Sequence, residues 1–179
     1  MRFLPQATAT LTILLLAGSL RAAPYAHYSP APDHVLWFMS ISDTHIGANG
    51  DRAVENMTWA LTDAYDVIRP RLTVIAGDLT DANSLWGVPW TQQEDEWRDY
   101  RAIIDNAGRT LDDLLDIPGN HDQYGDKTLS YYRDWSLWGR ATDRTQHSIR
   151  VETDFGGIYH FLGVATPGND GAYPPADRA

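Results

Sequence analysis

The segment VLWFMSISDTH, residues 35–45, decides how the rest of the chain is interpreted. It is a run of apolar and β-prone residues that ends abruptly at an acid, a hydroxyl residue and a histidine. Such a run is typical of a strand that is buried on both faces, as in a parallel sheet. Asp43 and His45 follow it two residues apart. We therefore expect both side chains to face the crevice at the carboxyl end of the strand, where open α/β sheets bind ligands.

Two later segments repeat this layout. LTVIA (Leu72–Ala76) leads into Gly-Asp at 77–78, and LLDIP (Leu114–Pro118), with Leu114–Ile117 as the predicted strand, leads into Gly-Asn-His-Asp at 119–122. The two glycines let the backbone turn sharply and approach the site closely. Carboxylates, an amide and histidines are therefore expected to gather at the carboxyl edge of one sheet.

The gathered groups are typical of a metal centre. Carboxylate, imidazole and amide donors suit Mn, Fe, Zn or similar divalent ions. Asp78, after the middle strand, is positioned to bridge two ions, and a pair about 3.5–4 Å apart can generate a nucleophilic water at neutral pH. Taken singly, Asp43 is compatible with a cap and His45 with a surface histidine, while Gly-Asp is a common turn pair. The functional interpretation depends on the three motifs together.

The segments between the strands predict helices outside the sheet. One runs from Asp51, as the N-cap, to about Ile68, before Pro70. Another covers about 93–106 and ends at Gly108. Their predicted apolar contacts are Val54, Met57, Leu61, Ala64 and Ile68 on the first, and Trp97, Tyr100, Ile103 and Ile104 on the second.

The last third of the chain predicts a short helical stretch and a hairpin. Residues 128–138 have a weakly helical pattern. Strands follow at about 147–153 and 158–165, joined by a turn at Gly156-Gly157. The fold class is therefore α/β, bordering on α+β, with a mixed sheet core and flanking helices.

The tryptophans fall into two groups, one predicted to lie in the core and one in a loop near the site. Trp59 and Trp97 lie on helical apolar faces and are predicted to be core residues. Trp86 and Trp90 lie in the loop after Asp78, where lining a substrate pocket and structural packing are equally compatible with the sequence.

Composition restricts the function classes. The 179 residues suit one domain, and a formal charge of −10 argues against a nucleic-acid-binding surface. Because the net charge is negative, a phosphate-bearing substrate would have to be attracted by local positive charge, such as bound cations. The absence of cysteine excludes disulfides, thiolate ligands and a cysteine nucleophile.

The N-terminus resembles an export signal. Arg2 precedes the apolar run LTILLLAGSL (Leu11–Leu20), which has the length of a signal-peptide core. We interpret residues 1–25 as a signal peptide or an uncleaved anchor, 26–33 as a linker, 34–166 as the domain and 167–179 as a loop or tail. The expected location is periplasmic, extracellular or lumenal, with membrane association through the N-terminus as an alternative.

Three motifs, in this order and each at a strand end, resemble the calcineurin-like metallophosphoesterases. They are SDTHIG (Ser42–Gly47), GDLTD (Gly77–Asp81) and GNHD (Gly119–Asp122). The helix and loop around Trp97 and the segment after GNHD further resemble the membrane-associated eukaryotic branch of that family. The resemblance implies a layered-sheet phosphoesterase fold and hydrolysis of a small phosphate ester at two divalent metal ions.

The resemblance also implies a role for each motif residue. Asp43 and His45 would bind the first metal, Asp78 would bridge both, and Asn120 would bind the second through its side-chain oxygen. His121 would contact the scissile phosphate or protonate the leaving group.

Asp122 would orient His121 for that catalytic role. It completes the set of predicted site residues.

The chain departs from the family pattern after Asp122. The family completes its metal site with histidines from a second half, whereas His147 lacks the expected flanking residues and His160 lies mid-strand, where it is expected to be packed or paired. Only four ligands are then left for two ions that prefer about five or six each. We therefore expect this chain to correspond to the first half of the family's two-sheet sandwich.

Two alternatives stay open from the sequence. One is a catalytically inactive remnant that acts as a binding or interaction module. The other is a nuclease or nucleotidase on the same scaffold. The sequence does not indicate the oligomeric state.

Overall fold

The computed structural model describes residues 35–48, 50–82 and 90–165. The strands are β1 (Phe38–Ile41), β2 (Leu72–Ala76), β3 (Leu114–Ile117), β4 (His147–Glu152) and β5 (Ile158–Gly163). The helices are α1 (Arg52–Trp59), α2 (Tyr65–Ile68), α3 (Glu94–Asn106), α4 (Ser130–Trp135) and α5 (Leu137–Thr142). The predicted signal segment, linker and tail, the domain borders at 34 and 166, and Trp86 lie outside the described residues.

The first three strands form a parallel sheet in the order β1-β2-β3. Phe38 is in register with Leu72, and Thr73 with Leu114, so all three carboxyl ends lie on one edge. This arrangement confirms the predicted α/β class and the parallel sheet. The β2 and β3 bounds agree with the prediction to the residue.

The prediction that β1 is buried on both faces was wrong. It is only four residues long and alternates between exposed and half-buried positions. Met39 and Ile41 pack against the core, whereas Phe38 is 52% exposed. The reason is topological, because β1 is the outer strand in the described part of the sheet.

The helical segment after β1 is one continuous rod. A π-helical turn at Ala60–Ala64 joins α1 to α2, and Arg69 ends the rod in a left-handed conformation (φ 49°). Asp51 precedes α1, but its side chain makes no capping hydrogen bond.

The predicted core residues of this rod were only partly correct. Met57, Leu61 and Ala64 are buried, but Trp59 is 60% exposed and Ile68 is 50% exposed. Trp59 follows Met57 by two residues, roughly 200° around a helix, so the two side chains point to opposite sides.

Helix α3 matches the sequence pattern closely. The four predicted contacts Trp97, Tyr100, Ile103 and Ile104 are all buried. Gly108 lies just beyond the helix with φ 67°, as expected for a glycine that ends a helix. Residues 128–138 form two short helices, α4 and the start of α5. None of the helices in the described ranges could cross a membrane, because each is too short or too polar.

Strands β4 and β5 form a separate antiparallel pair. His147 is in register with Gly163, and the turn contains Gly156 with φ 81°. Ile149 and Val151 pack with residues of β2 and β3, so the hairpin covers one face of the parallel sheet. His147 is buried, with its Nε2 2.8 Å from the hydroxyl of Tyr132. His160 does not fit the expectation of packing, because it is exposed on β5.

A buried carboxylate joins β3 to the helices. Asp116 is fully buried and accepts hydrogen bonds from the Tyr100 hydroxyl (3.0 Å) and from the backbone N–H groups of Leu137 (2.7 Å) and Trp138 (2.9 Å). Burial raises the pKa of the Asp116 carboxyl, and these hydrogen bonds partly oppose the shift.

Replacing Asp116 by Asn should destabilise the fold. One acceptor oxygen is lost, and an NH2 group then faces a backbone N–H. The expected loss in the free energy of unfolding is about 1–3 kcal/mol, measured by urea denaturation. Asp99→Asn, on the exposed side of α3, is the matched control and should change stability by less than about 0.5 kcal/mol.

The same pair of variants tests the pKa shift. The pKa of Asp116 is higher in the folded state than in the unfolded chain. Its contribution to stability is therefore fully present below about pH 4 and is lost as the pH rises through the folded-state pKa. The stability difference between wild type and D116N should narrow as the pH is raised from about 4 towards 7. A difference that does not vary with pH would contradict the shift.

Candidate metal centre

Backbone pairing continues beyond the ends of β1 and β2. The N–H groups of Asp43, His45 and Ile46 donate to the carbonyl oxygens of Gly77 (3.1 Å), Asp78 (3.0 Å) and Leu79 (3.1 Å), respectively. The first two sequence motifs are therefore joined residue by residue. This pairing holds Asp43 and His45 beside Asp78.

The third motif approaches even more closely. A Cβ atom added at Gly119 would lie 2.3 Å from the backbone nitrogen of Asp78 and 2.2 Å from its Oδ1. Gly77 has φ 85°, and a Cβ there would lie 3.1 Å from the Cα of Gly119. The two glycines are therefore required for the contact between the loops after β2 and β3, as the sequence suggested.

Three predicted metal ligands have left-handed backbones. The φ angles are 55° for Asp43, 43° for His45 and 51° for Asp78. Such conformations are uncommon for residues other than glycine and cost of the order of 1–3 kcal/mol each. Their concentration at the ends of two neighbouring strands is the pattern expected of a functional site.

His45, Asp78 and His121 form the tight cluster of the site. Each offers one ligand atom, and these atoms lie within 4.8 Å of one another. The Nε2 of His45 is 3.9 Å from the Oδ2 of Asp78, too far for a hydrogen bond. Ligand distances of roughly 2.0–2.2 Å allow one ion to contact two donors separated in this way. The donor set therefore fits a divalent cation that accepts nitrogen and oxygen.

Asp81 holds both imidazoles of this cluster. Its Oδ1 is 2.9 Å from the Nδ1 of His45, and its carbonyl oxygen is 2.9 Å from the Nδ1 of His121. A carbonyl oxygen only accepts, so His121 carries its proton on Nδ1 and leaves Nε2 for another contact. A carboxylate behind His45 is the usual way to orient a metal-binding imidazole.

The role of Asp81 was missed in the sequence. It is the last residue of the GDLTD motif, but the sequence analysis assigned a role only to Asp78 of that motif. Its contact with two histidines depends on the left-handed turn at Asp78 and on pairing with the β1 loop, which spacing does not reveal.

Asp43 is not one of the three clustered residues, but it lines a cavity together with Asp78 and Asn120. Asp43 is exposed and borders two cavities, one of about 250 Å³ shared with Asp78 and Asn120, the other of about 580 Å³ shared with His45 and Asp81. The side-chain NH2 of Asn120 donates to the Tyr124 hydroxyl at 3.3 Å. The Oδ1 of Asn120 takes no part in this hydrogen bond.

Asp122 has a different position from the one expected. It is fully buried, and its carboxylate accepts from the backbone N–H groups of Leu79 (3.1 Å), Thr80 (3.1 Å) and Gly119 (2.7 Å). The hydrogen bonds described for the His121 ring go to Asp81 instead. Asp122 therefore positions the loop that carries His121 and does not orient the ring directly.

Burial also affects the ionisation of this carboxylate. Desolvation raises the pKa of Asp122 to about 7, although three backbone hydrogen bonds oppose the rise; the charge of Asp78 adds to it. Asp122 therefore links the loops after β2 and β3, and its pKa is set by burial, by its hydrogen bonds and by the charge of Asp78.

Comparison with known sequences identifies the class of protein. The profile of the calcineurin-like phosphoesterases matches residues 36–170. The chain therefore belongs to the calcineurin-like phosphoesterase family, which confirms the resemblance indicated by the three motifs.

Two relatives extend this result. Transmembrane protein 62 of Mus musculus is 34% identical over 147 residues, which are 75% of this chain and 22% of the mouse protein. A protein of Arabidopsis thaliana, named as a proposed metallophosphoesterase, is 26% identical over 128 residues, 66% of this chain and 17% of that protein. Both relatives are eukaryotic, and the name of the mouse protein supports the narrower similarity to the membrane-associated branch. The chain spans less than a quarter of the length of either relative.

Removing the Asp81 side chain should weaken metal binding. Asp81→Ala deletes the carboxylate that orients His45, and loss of such a partner typically lowers metal affinity about 10–100-fold. Titration with Mn²⁺ by calorimetry measures the change, and Asp99→Ala on the exposed side of α3 is the control. Equal affinities of wild type and D81A would contradict the orienting role.

Proposed function

We propose that this domain is a metal-dependent phosphoesterase that hydrolyses a small phosphate ester. The observation that carries the proposal is the convergence of His45, Asp78 and His121 from three separate strand ends. Membership of the phosphoesterase family supports the same class of reaction. The chain's acidic balance is compatible with this class if cations neutralise the phosphate at the site.

Four side chains are proposed to hold two divalent ions, with Mn, Fe and Zn as candidates. Asp43 and His45 would bind the first ion, Asp78 would contact both, and Asn120 would bind the second. Support comes from the cavity that Asp43, Asp78 and Asn120 share. Divalent ions held there would supply a nucleophilic water at neutral pH and would stabilise charge on the phosphoryl oxygens.

His121 is proposed to act on the phosphate and the leaving group. Its Nδ1–H is engaged by the carbonyl of Asp81, so the reactive nitrogen is Nε2. In the imidazolium form, Nε2–H can donate to a phosphoryl oxygen and then release its proton to the departing alkoxide oxygen.

Asp78→Asn tests the proposed function most simply. The change removes the bridging charge while conserving shape, so Mn²⁺-dependent release of phosphate from an aryl phosphate should fall more than about tenfold. Asp99→Asn is again the control. A loss smaller than tenfold would count against the bridging role.

A pair of histidine variants separates metal binding from chemistry. His45→Ala should abolish calorimetric Mn²⁺ binding at the first site, because a direct ligand is lost. His121→Ala should retain that binding but lower kcat by about 10²–10⁴-fold, the usual contribution of general acid catalysis. Loss of Mn²⁺ binding in H121A, to the extent seen in H45A, would instead assign His121 as a ligand.

The position of His147 favours a second candidate function. This histidine is occupied by Tyr132 in the interior, so it is not available to complete the ligand set. A domain that binds cations without turnover would then serve as a binding or interaction module. Mn²⁺ binding with no detectable hydrolysis of any phosphate ester would favour this alternative.

We also propose that the domain functions outside the cytosol or at a membrane. The export-type segment at 1–25 and the name of the mouse relative support this location. No nucleic-acid partner is proposed, because the chain is acidic.

A further inference from the structure

Aromatic side chains form one wall of the metal centre. The indole of Trp90 has its ring centroid 5.7 Å from that of His121 and 5.9 Å from that of Tyr124. The rings of His121 and Tyr124 are 4.7 Å apart. Trp90 is 49% exposed, so about half of a large apolar side chain faces solvent beside the proposed catalytic histidine.

The segment that carries Trp90 is fixed to this wall by its next two residues. Gln92 is buried, and its Nε2 donates to the carbonyl oxygens of His121 (2.7 Å) and Tyr124 (3.1 Å). Thr91 packs so tightly on Gly125 that a Cβ there would lie 2.3 Å from the Thr91 Oγ1. The backbone at Trp90 is therefore held against the turn that carries His121.

Comparison with another tryptophan distinguishes this arrangement from core packing. Trp97 is fully buried, and its indole N–H donates to the Oε1 of Gln92 at 2.7 Å. Trp90 has no such burial, although the two residues that follow it are held against the loop after β3. A fixed backbone that presents a half-exposed ring is the arrangement of a ligand-contacting aromatic residue rather than of a core residue.

We propose that Trp90 and Tyr124 form a stacking wall for a flat aromatic ring in the substrate's leaving group. The inference rests on the proposed function and specifies its substrate class: phosphate esters of alcohols that carry such a ring, either nucleosides or phenols. His121 is assigned to the leaving oxygen, so the group bonded to that oxygen is the part of the substrate nearest to Trp90. An uncharged ring also suits a site whose neighbours Asp43, Asp78 and Asp81 are acidic.

Two phosphonates that cannot be hydrolysed test this wall by binding alone. Phenylphosphonate carries the ring, whereas ethylphosphonate has the same head group without it. Their dissociation constants for the full-length chain with Mn²⁺ are measured by calorimetry. Stacking on an aromatic side chain is worth about 1–3 kcal/mol, so Trp90→Ala should weaken phenylphosphonate binding roughly 5–150-fold. Ethylphosphonate binding should change less than about twofold.

Two further variants make the result specific. Trp90→Phe conserves a ring and should retain most of the preference for phenylphosphonate. Trp37→Ala removes a tryptophan that is 67% exposed at the amino end of β1, opposite the site, and should leave both affinities unchanged. Thermal unfolding of each variant verifies that the fold is conserved.

The outcomes separate this inference from the proposed function. If the wild type binds both phosphonates equally, or if W90A weakens both equally, the stacking wall is overturned while the phosphoesterase proposal stands. If the wild type binds neither phosphonate nor Mn²⁺, the proposed function fails and the wall fails with it. A selective loss of phenylphosphonate affinity in W90A, restored in W90F, supports the wall.

A third probe distinguishes the two sources of the ring. The methylene phosphonate analogue of adenosine monophosphate presents a nucleobase at the distance set by a ribose. Tighter binding of this analogue than of phenylphosphonate, lost in W90A, assigns the wall to a nucleoside. Tighter binding of phenylphosphonate assigns it to a phenol.

Discussion

The candidate site depends on one buried carboxylate. Asp122 accepts hydrogen bonds from backbone N–H groups of both the β2 loop, at Leu79 and Thr80, and the β3 loop, at Gly119. Two loops that carry acidic and imidazole side chains are thereby held at van der Waals contact, which only glycine at position 119 permits. Without such a link these backbone amides would be left unpaired in the interior.

Asp81 organises the side chains on that framework. It contacts His45 through its carboxylate and His121 through its carbonyl oxygen, so one residue determines the orientation of two imidazoles. Both rings consequently use Nδ1 for a structural contact and have Nε2 available for ligands. Asp122 therefore positions the backbone of the two loops, and Asp81 positions the two imidazole rings.

Sequence reasoning succeeded where local pattern decides the outcome. The strands Leu72–Ala76 and Leu114–Ile117 and the buried face of the helix at 94–106 follow directly from apolar runs and helical spacing. It failed where a tertiary neighbour decides. The exposure of β1 depends on its place at the side of the sheet. Trp59 is a failure of another kind, because helical spacing alone puts it on the side of the helix opposite Met57.

The site was predictable to a similar extent. The motifs indicated which residues lie at strand ends, because parallel strands end on the same edge. They did not indicate that Asp81 contacts both histidines or that Asp122 is turned to the backbone, since both contacts depend on left-handed turns between loops distant in the chain.

Diffraction from crystals grown with Mn²⁺, recorded where manganese scatters anomalously, would show whether donors from separate strand ends share a cation. We expect an anomalous peak within roughly 2.0–2.3 Å of the His45 Nε2 and an Asp78 carboxylate oxygen. An ordered site without a peak at these atoms, or manganese bound only elsewhere, would contradict this expectation.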